Sequence, residues 1–355
     1  MTEETKTLTM MAVVKDRPEE GFTVVKKTLS TDLAPHEVLV KVMSASFCGT
    51  DYHIYKYDAW AQNRLKLPLT VGHEFSGKII KIGSEVTKVK VGDNVSAETH
   101  IICGKCEFCL RGEGHICENT KIIGVDTDGC FANYLKMPED NCFINSPDVN
   151  PLYLSVQEPL GNAVHTVTQF DILNKTVAIV GCGPIGLLGI DVARAYGAKK
   201  IVAIEVNEYR RNLAKELGAD VIINPLTDDV IATVRKATDG KGIDVVCEFS
   251  GNKSAIEQAF KYIKAGGKMS MLGLPSKNIE INLADDVVFK GITIYGVVGR
   301  KIYGTWHQVK DLMDRNLLHL DKIITHQFPL SQINEAAKVM GSGNSGKIVL
   351  IPEEI

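Results

Sequence analysis

Short alternating runs of apolar and polar residues fill the first part of the chain. Residues 37–42, 78–82 and 86–91 each read as a strand, with Gly83 and Gly92-Asp93 as turns between them. Short strands with glycine turns predict a partly open barrel rather than a parallel sheet. Near Asp171 the pattern changes to alternating strands and helices. A short apolar strand at 176–180 precedes a helix at 184–196, and Gly197 suits its C-cap. A strand at 201–204 precedes a second helix at 208–217, with Asn207 as N-cap and Gly218 as its stop. Further strands are expected at 221–223, 244–249, 268–272 and 292–295. This order predicts parallel βαβ units in a doubly wound sheet, so the fold class is α/β. The closing part carries a helix at 305–316, a helix capped by Ser331 and running to Met340, and a strand at 346–350. The expected domains are therefore 1–155, 156–300 and a tail at 301–355. There is no repeat of fixed period.

Composition sharpens this picture. A length of 355 residues favours two domains, and 45% hydrophobic with 23% charged residues is ordinary for a soluble protein. The formal charge is −3 and no block of like charges stands out, which argues against a nucleic-acid partner. The opening Met1-Thr2-Glu3-Glu4-Thr5-Lys6 is polar and lacks the apolar core of a secretory signal. The longest nearly uncharged apolar stretch, 177–190, is too short to span a membrane and is broken by Gly181, Gly183, Pro184 and Gly186. A cytoplasmic protein without a membrane partner is expected. Nine cysteines, odd in number and clustered, point to metal rather than to a disulfide framework.

Four of them stand at Cys103, Cys106, Cys109 and Cys117. Four thiolates saturate a tetrahedral zinc ion and leave no position for substrate, so this site would be structural. An iron–sulfur cluster is the alternative, although no proline follows Cys117 and no second run exists. Cys130, Cys142, Cys182 and Cys247 read as free thiols.

A different donor set lies upstream. Cys48, His73 and Glu74 offer a thiolate, an imidazole and a carboxylate, which suits an open zinc site that keeps a position for water or substrate. His73 and Glu74 are adjacent and cannot both point to one face of a regular strand, so the backbone must turn there, and Gly72 permits it. Glu158, where the domain character changes, is a second candidate carboxylate. Thr50 and His53 can pass a proton, because a hydroxyl both accepts and donates and an imidazole titrates near neutrality.

Gly181-Cys182-Gly183-Pro184-Ile185-Gly186 follows a strand and opens a helix, and Glu205 closes the next strand. In that context the glycines admit a pyrophosphate to a helix N-terminus, and Glu205 accepts from a ribose 2′-hydroxyl. Its charge favours NAD over NADP. Arg210 is a counter-signal, since a nearby arginine can suit a 2′-phosphate, but Glu205 is the better placed and Arg210 could instead contact the adenosine side or the solvent. A dinucleotide-binding protein without catalysis would not need the Cys48 set.

Taken together, both candidate zinc-ligand patterns and the glycine fingerprint resemble the zinc-containing medium-chain alcohol dehydrogenases, from about Val38 to Val349. The segments Cys48 to Tyr55, Glu98-Thr99-His100, Glu158 to Thr166 and Gly299-Arg300 with Thr305-Trp306 are similar to a branch acting on a β-hydroxy amino acid; a polyol or secondary alcohol is the alternative substrate. The resemblance implies a GroES-like barrel completed by the C-terminal tail, and a Rossmann domain that binds NAD. It implies two zinc ions per chain, with Cys48, His73 and Glu74 as catalytic ligands and Glu158 as a fourth or exchanging one. It also implies a Thr50–His53 proton relay, His100 close to the substrate, and a homotetramer.

Overall fold

The structure is a computed structural model that describes residues 6–354; the first five residues of the polar opening lie outside it. The described chain forms two compact units. One takes the chain up to Glu158, with His326–Ser342 and the segment from Lys347 onward; the other takes Pro159–Thr325 and Gly343–Gly346.

The first unit is built on a seven-stranded sheet. Its order is Cys142–Asn145, Asn94–Ala97, Glu74–Ile82, Glu37–Phe47, Lys347–Ile351 and Ile324–Pro329, with Tyr134–Pro138 also pairing with Glu37–Phe47. A three-stranded sheet of Thr23–Ser30, Thr7–Lys15 and Leu69–Thr70 accompanies it. Val38, Val40, Phe75, Ile79, Phe131 and Ile348 form part of one buried apolar cluster. The alternation of Glu37–Phe47 explains this, because every second side chain of a strand faces the same side. Two register shifts bend the pairing of Glu37–Phe47 with Glu74–Ile82, which helps the sheet to curl.

The second unit carries a parallel six-stranded sheet in the order Val221–Ile223, Lys200–Ile204, Thr176–Val180, Ile243–Glu248, Ile263–Met271, Thr293–Gly296. Successive strands step outward from Thr176–Val180 in one direction, then resume on its other side with Ile243–Glu248. The carboxyl ends of these two strands therefore flank a topological switch point, the usual ligand crevice of such sheets. Helices Pro184–Ala195 and Glu208–Glu216 fall where the pattern predicted them; Asn207 Oδ1 accepts from Arg210 N–H at 3.0 Å as N-cap.

Two local expectations are corrected. Residues 86–91 form a loop rather than a strand. Their donors go elsewhere: the N–H groups of Thr87 and Lys88 both donate to Glu139 Oε2 at 2.8 Å, and Lys90 N–H donates to Asp93 Oδ2. Ser331 does not cap a helix. It lies in the 3₁₀ turn Leu330–Gln332, its hydroxyl donating to Glu353, and the helix that follows is Ile333–Ser342. Among the described residues no helix is long and apolar enough to cross a membrane.

Candidate functional site

Three strands of the first unit bring one set of side chains together. Register pairs Ser46 with Glu74 and Phe47 with Ile348, so the ends of Glu37–Phe47, Glu74–Ile82 and Lys347–Ile351 lie side by side. Cys48 follows the first of these strands directly. His73 precedes the second, and Gly72, at φ +93°, supplies the turn that frees His73 from strand geometry. A Cβ on Gly72 would also stand 2.2 Å from the Phe131 ring, so only glycine fits the position. One ligand atom each from Cys48, His73 and Glu74 lies within 4.8 Å of the others.

The surroundings of this trio favour a cation. Glu74 is fully buried, and its Oε2 takes the Ser46 hydroxyl and the Lys347 ammonium, whose Nζ also donates to Phe47 O at 3.1 Å. Its Oε1 has no partner within the protein. Buried Asp51 accepts from Cys48 N–H at 2.9 Å and places Oδ1 3.4 Å from His73 Nδ1. Burial works against a charged His73, yet the Asp51 carboxylate and Cys48 outweigh it and hold the imidazole well above its ordinary range. Burial pushes the Glu74 carboxyl up against the pull of Lys347, and Glu158 pushes it the same way. Glu74, Glu158 and the Cys48 thiol thus act on Lys347, while Asp51 faces His73. A divalent cation coordinated by sulfur, nitrogen and oxygen would balance that charge, and the donor types are those zinc takes.

Glu158 lies in the first turn of helix Gln157–Thr168, 5% exposed. It is outside the compact trio, but its charge reaches both Glu74 and Lys347. Thr50 and His53 lie three residues apart on helix Gly49–Lys56 and so share a face. The His53 side chain is 59% exposed, and its Nδ1 donates to Asp58 Oδ2 at 2.5 Å. That bond leaves Nε2 as the basic nitrogen of the neutral ring. His100 opens the short strand His100–Ile101, where its Nδ1 donates to buried Glu98 at 2.8 Å. His165 donates through Nδ1 to Gly299 O and packs edge-on against Tyr295, a packing role in the second unit.

The second cysteine set also converges. Cys103, Cys106, Cys109 and Cys117 bring their sulfurs within 4.8 Å of one another. Cys106 Sγ is 3.5 Å from Cys109 Sγ and 3.9 Å from Cys117 Sγ. A tetrahedron of sulfurs about 2.3 Å from a central zinc has edges of about 3.8 Å, so the spacing fits. The N–H groups of Lys105 and Cys106 lower the Cys103 thiol to about 6, while burial pushes Cys109 up to about 12. Further N–H groups, from Cys103 and Asn119, point at Cys117 Sγ at 3.4 Å. The remaining cysteines are free thiols, as expected, and burial raises Cys247 to about 12.

In the second unit, Gly181 has φ +85°, and Gly183 and Pro184 start the helix Pro184–Ala195. A Cβ on Gly186 would lie 1.9 Å from Gly181 O, so the helix can approach the strand end only with glycine there. Glu205 follows its strand and accepts the N–H of Cys182 at 2.7 Å and of Asn207 at 2.8 Å. A cavity of 540 Å³ opens at the switch point; Gly181, Gly183, Glu205, Arg210, Ser250 and Asn252 are among its lining. Arg210 is held at its edge, its Nε donating to Ser345 O at 3.3 Å.

Sequence reading missed Asp51, Ser46 and Lys347 as parts of the trio's setting. Asp51 was visible as an acidic residue in the first turn after Cys48. Lys347 was visible as a lone charge opening an apolar strand, a position that calls for a buried partner.

Two family models match the chain. One, for the alcohol dehydrogenase GroES-like domain, covers residues 34–148; the other, for zinc-binding dehydrogenases, covers residues 184–315. The chain is 52% identical to an L-threonine 3-dehydrogenase of Caldanaerobacter subterraneus, over 97% of this chain and 99% of that one. It is 49% identical to an L-threonine 3-dehydrogenase of Symbiobacterium thermophilum, over 97% and 98%. Among solved structures, a zinc-binding dehydrogenase of Sinorhizobium meliloti bound to NADP superposes with a TM-score of 0.88 at 28% identity, covering 97% of this chain and 100% of that one.

Proposed function

The chain belongs to the zinc-containing medium-chain alcohol dehydrogenases, and from that premise we propose that it oxidises the β-hydroxyl of L-threonine to 2-amino-3-oxobutanoate, with NAD as hydride acceptor. The observation that carries the substrate is the end-to-end match to relatives named for this reaction. Bound zinc would polarise the hydroxyl and lower its pKa, and oxidised nicotinamide would accept the hydride. Cys48, His73 and Glu74 would hold that zinc, and the four-cysteine loop a second, structural one.

The chain's own residues do the rest. Lys347 and Ser46 hold one oxygen of Glu74, which keeps Oε1 for the metal. Asp51 steadies His73. Thr50 and His53 form the relay that takes the hydroxyl proton to solvent; the exposure of His53 and its tautomer, set by Asp58, support this. Glu158, whose charge acts on Glu74, is the candidate exchanging carboxylate, and His100 is a candidate contact for the polar ends of the substrate. In the nucleotide cavity Glu205 supports NAD over NADP, because a 2′-phosphate would meet its charge. A cytoplasmic homotetramer completes the reading, by the family resemblance.

NAD reduction measured side by side on L-threonine, L-serine, 2,3-butanediol and sorbitol tests the assignment. The largest kcat/KM is expected on L-threonine. A larger value on a polyol would move the protein to the polyol branch.

A further inference from the structure

The strand Ile243–Glu248 ends in a fully buried carboxylate that the reaction described above does not use. Glu248 Oε1 accepts three donors from the loop that follows it. These are Ser250 N–H at 2.8 Å, Gly251 N–H at 3.0 Å and the Ser250 hydroxyl. Its Oε2 lies 3.2 Å from the same Gly251 N–H. The Ser250 hydroxyl accepts in turn from Asn252 N–H at 3.0 Å, and Asn252 Oδ1 caps the helix Lys253–Tyr262 through Ala255 N–H. Ser250 and Asn252 both line the 540 Å³ cavity.

This loop also abuts the glycine turn. A Cβ on Gly181 would lie 2.8 Å from Ser250 Cβ, and one on Gly273 would lie 2.5 Å from Glu248 Oε2. Glu248 therefore mirrors Glu205 across the switch point: each is a carboxylate at a strand end that gathers the backbone N–H groups of a neighbouring loop.

We propose that Glu248 is a positioning residue for the dinucleotide, holding the Ser250–Asn252 loop in its binding shape before the nucleotide arrives. The inference rests on reading the cavity as the NAD site. A loop already ordered in the free protein spares the ligand the entropy of ordering it, and a buried ionised acceptor holds several donors more firmly than a neutral one. Glu248→Gln keeps size and shape. With its NH₂ at the Oε1 position it meets the N–H groups of Ser250 and Gly251; at the Oε2 position it meets the longer Gly251 contact; in both the charge that strengthens these bonds is gone.

The test combines NADH binding by fluorescence, steady-state kinetics and thermal unfolding on the unmodified protein and on E248Q. E248Q should weaken NADH binding and raise KM for NAD by about tenfold or more, the cost of losing a charge-assisted hydrogen bond. Its kcat at saturating NAD should stay within about threefold, because the loop touches the nucleotide and not the reacting hydroxyl. Unchanged NADH affinity in a folded E248Q overturns the inference, as does a fall in kcat with KM for NAD unchanged. An unmodified protein that binds no NADH overturns the nucleotide reading itself, a result distinct from both. Should E248Q fail to fold, amide exchange in the unmodified protein decides. Slow exchange at Ser250 and Gly251 without nucleotide supports a preformed loop; fast exchange that slows only with NADH overturns it.

Discussion

The two cysteine-bearing centres of the first unit are built in opposite ways. Cys103 to Cys117 is a local loop: four donors of one kind within fifteen residues, partly exposed apart from Cys117, with backbone N–H groups turned toward the sulfurs. The Cys48 trio is assembled at the ends of two strands, with Lys347 reaching it from a third; it is more deeply buried, mixes three donor types and sits among buried carboxylates. A closed set of thiolates can only hold an ion. A three-donor set under charge stress keeps a position open and lends that stress to whatever binds there. The difference is the basis for reading one as a clasp and the other as a reaction centre.

Substitutions that affect one centre and spare the other test this separation. Cys48→Ala should have the largest effect. It should lower kcat/KM for L-threonine by at least about 10³-fold and drop zinc content from about two to about one per chain, with the fold intact by circular dichroism. If it left activity standing, the trio would not be the reaction centre. Lys347→Met should come next. A partner that only orients a ligand is worth about 10–100-fold in metal affinity or activity, and the uncompensated Glu74 should cost the first unit about 3–5 kcal/mol in denaturant unfolding. Zinc competition with a chelator reads the first effect independently of turnover; no change in either quantity would remove Lys347 from the site. Cys106→Ser should have the smallest effect on chemistry. It should lose the other zinc and lower the unfolding temperature, while kcat/KM measured well below that temperature stays within about threefold. Loss of turnover in a folded Cys106→Ser protein would erase the division between the two centres.

How far each centre could be read from sequence follows from the same contrast. The cysteine loop was legible because its donors are close in the chain, and spacing alone restricts what they can bind. The glycine turn was legible for the same reason, as was the strand and helix order around it. Cys48, His73 and Glu74 were legible as candidates, and Gly72 as the turn they require. Their supporting residues were not. Lys347 meets Glu74 through sheet register, and Glu248 matters through donors that a sequence does not assign. The run at 86–91 has the alternation of a strand, but the side chain of Glu139 captures its N–H groups first. Periodicity reports which face is apolar; it does not report which acceptor wins a given donor.

The lysine beside Glu74 has a consequence in time. Lys347 Nζ bonds Phe47 O across 300 positions of sequence, with the whole nucleotide-binding unit between them. At about 5–20 residues per second, a ribosome needs on the order of tens of seconds to travel from Glu74 to Lys347. Throughout that interval the nascent first unit lacks the cation that lets Glu74 be buried. Its barrel can begin to collapse, but the Lys347 contacts to Glu74 and Phe47 form only after the second unit has been synthesised. If the trio holds a metal, its setting would be complete only after the second unit has been synthesised, whereas all four donors of the cysteine loop emerge early.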